Sequence, residues 1–529
     1  MNLYENILKY ENSKLNALYY NNKTISYKKL MINIRKMANY LSFRGIKRGD
    51  VVTVVLPNIP TTIYAFYALN ALGVIQNIIH PLTFFENIIK SMKETNSNNV
   101  ILLSTYYQEN KSLIDELDYN FFFANPMNDN SLIEKYGFYL KYEKPKENNN
   151  IHLIDKFISF KEIDKLETLK SEDTSIYLHS GGTTGIAKTI CLSCASINNL
   201  VGKMNNIVLD KIEGKSMLAV LPIFHGFGLG MGVHAPLSNG AASFLMMKFN
   251  AKKVIKYINK NRINFIIGVP LLYQKLLKEP MFHTSKLSNL ECAFIGGDNV
   301  NINLINQFNN LMKEKNSKCR MYEGYGLTET VTVCSVNTPK NYKIGSVGKA
   351  LDNLELLILD EEMKIVDNNI IGEVYVGGDT LMNGYLNDEH ATLSTIVKIN
   401  DKYYIRTGDL GYIDDDGFLF LKGRKKRMFK INGINVYPNE VEKIAMENIN
   451  VFDASLEYFD DPSPSLALYI IKNNNIEISE EKINKEIIDM LKKRVLKYSL
   501  PKEIIFVNEF PKTDVGKIDH KSFDNPFKK

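Results

Sequence analysis

Residues His179 to Lys188 read His-Ser-Gly-Gly-Thr-Thr-Gly-Ile-Ala-Lys, a set of types suited to capturing an anion. Gly181, Gly182 and Gly185 carry no side chain, so the backbone can approach a charged ligand and turn its N–H groups toward it. Thr183 and Thr184 add hydroxyl donors, and Lys188 adds a movable cation. A polyphosphate is the ligand such a set fits. The spacing is not that of a Walker A loop, which needs Gly, Lys and Ser/Thr adjacent, because Ile186 and Ala187 part Gly185 from Lys188. A Gly/Ser/Thr turn between a strand and a helix would use the same residues, so both readings stand on this segment alone.

Four later segments also carry reactive or ligating types. Glu323 precedes Gly-Tyr-Gly-Leu-Thr-Glu-Thr at 324–330, and Tyr-Tyr-Ile-Arg-Thr-Gly-Asp-Leu spans 403–410. Residues 423–442 read GRKKRMFKINGINVYPNEVE, and 511–518 read PKTDVGKI. Each has a plainer account. Thr328-Glu329 could open a helix, Asp409 could sit in a turn, and Lys517 could be one surface lysine among many. Lys425-Lys426-Arg427 could be a solvated face. Cys191 and Cys194 form a CxxC with no second ligand pair nearby, which reads better as two small residues opening a helix than as a zinc site.

The elements that must hold these segments alternate. Val51 to Leu56, Asn99 to Ser104, Ser216 to Leu221, Ala241 to Met246, Asn264 to Gly268 and Glu291 to Ile295 read as strands. Thr61 to Leu72, Ala251 to Asn261 and Leu271 to Lys278 read as helices. This rhythm predicts an α/β fold of doubly wound parallel sheets, with ligands at the strands' carboxyl ends, where the glycine-rich turns fall. Between about 340 and 423 short strands separated by Gly and Asp predict a small β-rich unit. Beyond it, a smaller α+β segment is expected, giving units of 1–425 and 426–529.

Composition narrows the class. A 529-residue chain with 45% hydrophobic and 23% charged residues is long enough for two or more cores. A net charge of +6 with scattered basic residues argues against nucleic acid as partner. The first residues, MNLYENILKYENSK, do not read as a signal peptide, and no run is long enough to span a membrane. Five irregularly spaced cysteines suit a reducing, cytoplasmic setting. Peripheral membrane contact through an apolar patch stays open.

In their order and spacing, the motifs at 179–188, 323–330, 403–410, 423–442 and 511–518 resemble the adenylate-forming superfamily of acyl-CoA synthetases, adenylation domains and luciferases. The resemblance implies attack of a carboxylate on ATP, giving an acyl-adenylate and pyrophosphate, then displacement of AMP by the thiol of coenzyme A. It also implies roles. Gly181, Gly182, Thr183, Thr184, Gly185 and Lys188 would hold the β- and γ-phosphates. Thr328 would donate to the α-phosphate and Glu329 would ligate Mg²⁺. Asp409 would accept the ribose hydroxyls, and Tyr325 would lie against the adenine opposite Gly296, Gly297 and Asp298. Arg424 would reach ribose or phosphate, and Lys517, on a mobile C-terminal domain, would bridge the acid and the α-phosphate. Lys426 would be the pivot of that domain, and the Gly433 loop would face the pantetheine tunnel in the second half-reaction.

His225, in Leu-Pro-Ile-Phe-His-Gly-Phe-Gly, falls at the resemblance's gate between acid pocket and thiol tunnel. Relatives that activate amino acids carry Asp there. The glycines at 226, 228, 230 and 232 would either leave room for an apolar acid or let a helix pack tightly. Ala187, Glu323 and the NGINVYPNEVE wording look like fatty-acyl-CoA ligases, with an aryl or short-chain acid, or a carrier protein loaded in trans, as alternatives. Gly181 in place of Ser, Thr189 in place of Gly and Cys194 in place of His depart from the usual pattern.

Overall fold

The computed structural model describes residues 1–529 except 128–131, 164–165, 167–168, 181–187, 209, 432–433, 462–463, 474–477, 513–517 and 529. Two large sheets dominate. One runs Gly384–Tyr385, Thr189–Ser193, Thr174–His179, Ile75–Ile78, Val51–Val55, Asn99–Leu103, Asn120–Ala124 and Ile151–Leu153. The other runs from Lys349–Ala350 through Val333–Val336, Arg320–Gly326, Cys292–Ile295, Phe265–Gly268, Ser216–Ala219, Ala242–Leu245 and Asn16–Tyr20 to Lys23–Ser26. Their centres are parallel, with antiparallel strands at both edges of the second sheet and at the Gly384 edge of the first, the α/β architecture the sequence predicts.

The β-branched runs form these strands because both faces are covered. The helix Pro60–Ala71 is buried at every residue. A helix apolar all round belongs inside a large core, and one hydrophobic cluster runs from Leu3 to Ile405 around it.

The β-rich unit is antiparallel: Leu354–Leu359, Gly372–Gly378, Lys402–Ile413 and Ile396–Ile399, with Leu419–Arg424 on Lys402–Ile413. Lys402–Ile413 outruns the short strands expected here: Gly408 takes φ +71° and a register shift carries the strand onward. Thus Asp409, which could have sat in a turn, lies mid-strand facing Arg424.

Past Arg424 comes a 3₁₀ turn, Lys425–Arg427, and a hairpin of Phe429–Ile431 and Ile434–Val436. The strands Val451–Phe459, Ser465–Lys472 and Glu503–Val507 then pack with the helices Pro438–Ala445 and Glu480–Lys492. A separate apolar cluster from Val436 to Leu491 serves this segment. Among the described residues, no helix is long and apolar enough to cross a membrane.

Candidate active site

The glycine-rich segment does not join a strand to a helix. Thr174–His179 pairs antiparallel with Thr189–Ser193, and His179 faces Thr189 across the pair. The base of the segment is closed by two bonds: Ser180 N–H donates to the Lys188 carbonyl and Lys188 N–H to Ser180 Oγ, both at 2.9 Å. Gly181, Gly182, Thr183, Thr184 and Gly185 lie outside the described residues. His179 anchors the first strand, with Nε2 2.8 Å from Asn77 Oδ1 and Nδ1 3.3 Å from Thr189 Oγ1. Burial pulls its pKa down to about 4, so the ring is neutral near pH 7.

Lys188 leaves this base exposed, its ammonium 4.5 Å from the centroid of the Tyr385 ring. The Tyr385 hydroxyl donates to Glu329 Oε1 at 2.8 Å. Glu329 sits in the 3₁₀ turn Thr328–Thr330, which no side chain caps. The turn leads into Val331 at φ +67°, ψ −58°, and Thr332 N–H donates back to the Thr330 carbonyl at 2.8 Å. That is a γ-turn of the strained hand, rare for a β-branched residue and typical of functional loops. Its carbonyl is received by Gly226, where a Cβ would come 1.7 Å from Val331 O.

Three of the residues expected at the nucleotide, Tyr325, Asp409 and Arg424, contact one another. Asp409 accepts from the Tyr325 hydroxyl at 2.5 Å and pairs with Arg424 Nε at 3.0 Å. Burial raises the Asp409 pKa, while Arg424 and Tyr325 oppose the rise. Glu329 is close enough to Asp409 to add to that rise by charge repulsion, so the two carboxylates share one region. Gly296 ends its strand against Gly324, where a Cβ would come 2.6 Å from the Gly324 carbonyl. Gly297, at φ +81°, and Asp298 are exposed beyond it. Glu323 is buried on the same strand as Tyr325; burial pushes its carboxyl up to about 7, opposed by Lys443.

His225 is exposed, and its ring lies 4.4 Å from that of Phe224, which stacks on His80 at the same separation. Gly226 caps a π-helix, Phe227–His234, that holds Gly228, Gly230 and Gly232. Gly228 shares the tight fit of Gly226, with Pro222 O 2.1 Å from an added Cβ, whereas Gly230 has ordinary room at 3.6 Å. Close packing therefore explains the first two glycines.

Lys426 is exposed in the 3₁₀ turn after Arg424, with no ion pair among the described residues. Its neighbour Lys425 holds the buried Glu373, which also takes Arg406 in a two-bond fork. The C-terminal segment meets the rest of the chain where Asn301 and Asn303 donate to the Met446 and Glu447 carbonyls. There the Asp453 carboxyl is pushed up to about 7, first by burial and further by Asp298 and Glu442; Ala454 N–H and Lys512 pull the other way. Gly433 and Lys517 lie outside the described residues; Lys512 and Ile518, flanking the latter, pair as an antiparallel bridge.

The profile of the family described as AMP-binding enzyme matches residues 9–386. The chain belongs to the AMP-binding enzyme family. Within this family it is 27% identical over 520 residues to 4-coumarate:CoA ligase 1 of Petunia hybrida, covering 94% of this chain and 88% of the relative. It is 28% identical to 4-coumarate–CoA ligase CCL1 of Humulus lupulus, over 93% of this chain and 87% of that one. The fold matches the anthranilate CoA ligase AuaEII in complex with anthranoyl-AMP at TM-score 0.85, with 22% identity, 98% of this chain and 96% of that one covered. It also matches ATP-bound MatB from Rhodopseudomonas palustris at TM-score 0.84, with 20% identity and 98% of both chains covered. The acids these names print are 4-coumarate and anthranilate, so the fatty-acyl wording of the motifs finds no echo in them.

For an AMP-binding enzyme, the donor set around Glu329 fits Mg²⁺. Among the described residues no three His, Cys, Asp or Glu side chains gather, so a cation here would combine one carboxylate with phosphate oxygens and water, the usual Mg²⁺ arrangement. Sequence reading passed over Tyr385, Val331 and His80. Only Tyr385 left a trace, as a lone aromatic after Gly384 among polar residues.

Proposed function

We propose that this chain is an AMP-forming carboxylic acid–CoA ligase. The observation that carries the reading is the convergence of Lys188, Glu329, Tyr325, Asp409 and Arg424, drawn from four separate motifs, on one region. In the first step a carboxylate oxygen bonds to the α-phosphorus of ATP, and the bond to the leaving pyrophosphate breaks. Two anions meet, so oriented donors and cations must face the developing charge. Lys188 and the segment 181–185 would hold the β- and γ-phosphates, Thr328 would donate to the α-phosphate, and Lys517 would bridge it to the acid. Asp409 and Arg424 would fix the ribose. Bound Mg²⁺, held by Glu329, would neutralise phosphate charge.

In the second step the thiol of CoA gives up its proton, sulfur bonds to the acyl carbon, and AMP departs with the electron pair of the broken bond. The unit 426–529 would turn about Lys426, withdrawing Lys517 and presenting the Gly433 loop, with His225 as gate. A cytoplasmic setting accords with five free, buried cysteines.

The acid is assigned to the aryl class. The 4-coumarate ligases support this, and the rings of Phe224 and of His80 and His225 on either side of it would line an aromatic wall beside the proposed gate. A fatty acid is the second reading, favoured by Ala187 and Glu323 in their motifs. Purified protein offered ATP, Mg²⁺ and a panel of aryl and aliphatic acids, with CoA or holo acyl carrier protein as acceptor, tests both. Acid-dependent pyrophosphate release that is greatest with aryl acids, and thioester formed on CoA, is expected. No acid-dependent release across the panel overturns the ligase reading.

A further inference from the structure

We propose that Tyr385 is a positioning residue that ties the phosphate-binding Lys188 to the cation-binding Glu329, so that ATP and its divalent cation are taken up as one unit. The inference rests on the ligase reading and deepens it. One ring serves both partners: its face lies 4.5 Å from the Lys188 ammonium and its hydroxyl donates to Glu329 Oε1 at 2.8 Å. A cation over an aromatic face is held without a counter-charge that would compete with phosphate. The hydroxyl bond fixes one carboxylate oxygen and, among the described residues, leaves Oε2 without a hydrogen-bond partner.

The backbone of Tyr385 is itself held. It pairs with Ile190 in the strand that follows Lys188, its N–H donates to Thr392 Oγ1 at 2.9 Å, and Leu386 N–H donates to the Thr189 carbonyl at 2.8 Å. The Met382 N–H donates to the Glu329 carbonyl at 2.8 Å, so the same short stretch grips Glu329 at main chain and side chain. Partners that hold a metal-ligating carboxylate typically contribute roughly 10–100-fold in metal affinity.

Calorimetric ATP titrations of the full chain, without acid and with or without Mn²⁺, test the coupling. Wild type is expected to bind ATP more tightly when Mn²⁺ is present. Tyr385→Phe keeps the ring under Lys188, so metal-free ATP affinity should stay unchanged while the Mn²⁺ enhancement falls by roughly tenfold or more. Tyr385→Leu, with folding checked by circular dichroism, should lose metal-free affinity as well. Full Mn²⁺ enhancement in Tyr385→Phe overturns the coupling and leaves the ligase reading intact. Absence of ATP binding by wild type overturns both.

Discussion

Arg424 meets Asp409 across two neighbouring strands, Nε to Oδ1 at 3.0 Å, while the Tyr325 hydroxyl takes Oδ2 at 2.5 Å. Both oxygens of the expected ribose acceptor are thus engaged by residues expected to touch the same nucleotide. A carboxylate has about four lone-pair positions, so two ribose hydroxyls can join without displacing either partner. Asp409→Asn keeps the shape and removes the charge. It should raise KM for ATP by roughly tenfold or more and leave KM for the acid near its wild-type value, as read from initial rates of pyrophosphate release. An unchanged KM for ATP would remove Asp409 from the nucleotide site.

The Arg424 side chain is 59% exposed, so its ion pair adds little to folding. Arg424→Ala should move stability by less than about 1 kcal/mol in a denaturant titration while depressing kcat. A large stability loss with unaltered kcat would make it a structural residue.

Gly226 and Gly230 give a matched pair. A methyl group at 226 would meet the Val331 carbonyl at 1.7 Å, and one at 230 would meet ordinary contacts at 3.6 Å. Gly226→Ala should cost about 3 kcal/mol or more and abolish pyrophosphate release by displacing the turn that carries Glu329. Gly230→Ala should fold and turn over nearly as wild type. Equal behaviour of the two variants would contradict the packing described.

Asp453 supplies a pH dependence. Its carboxyl titrates at about 7 in the folded chain and near 4 when unfolded. The folded state therefore holds the extra proton between those values. Stability from this group is greatest below about pH 4, falls as pH rises toward 7, and is flat above. Asn mimics the protonated form, so Asp453→Asn should stabilise the fold at pH 8 by on the order of 2–4 kcal/mol, read as a higher melting midpoint, and leave the midpoint unchanged at pH 4. A gain of equal size at both pH values would exclude titration of Asp453 as its source.

Lys426→Pro stiffens the proposed pivot. ATP–pyrophosphate exchange should persist, while thioester formation should fall by an order of magnitude or more. Equal loss of both half-reactions would place the pivot elsewhere.

Local signals in the sequence were read well where β-branched runs are bounded by turn residues. Val51–Val55, Asn99–Leu103 and Phe265–Gly268 lie where expected, to within a residue at either end. What escaped was set by distant contacts. Nothing near residue 180 says that Thr189–Ser193 folds back on Thr174–His179, and nothing near 385 says that its ring lies between Lys188 and Glu329. The strained backbone at Val331 has no local cause, because Val avoids positive φ unless packing imposes it. Asp409 and Arg424 could each be singled out by motif, but their mutual bond needed the register between strands.

The tight seats of Gly226 and Gly228 also bound any attempt to redirect the enzyme to another acid. The stretch from Leu221 to Gly232 looks open to redesign, yet these two positions are closed by main-chain atoms, which cannot step aside as side chains do. A library aimed at new acids would have its freedom at His80, Phe224 and His225, whose rings meet in tilted pairs through Phe224. Randomising Gly226 would fill it with chains whose Glu329 turn cannot form, and randomising Gly228 with chains that push apart the Leu221 and Pro222 carbonyls.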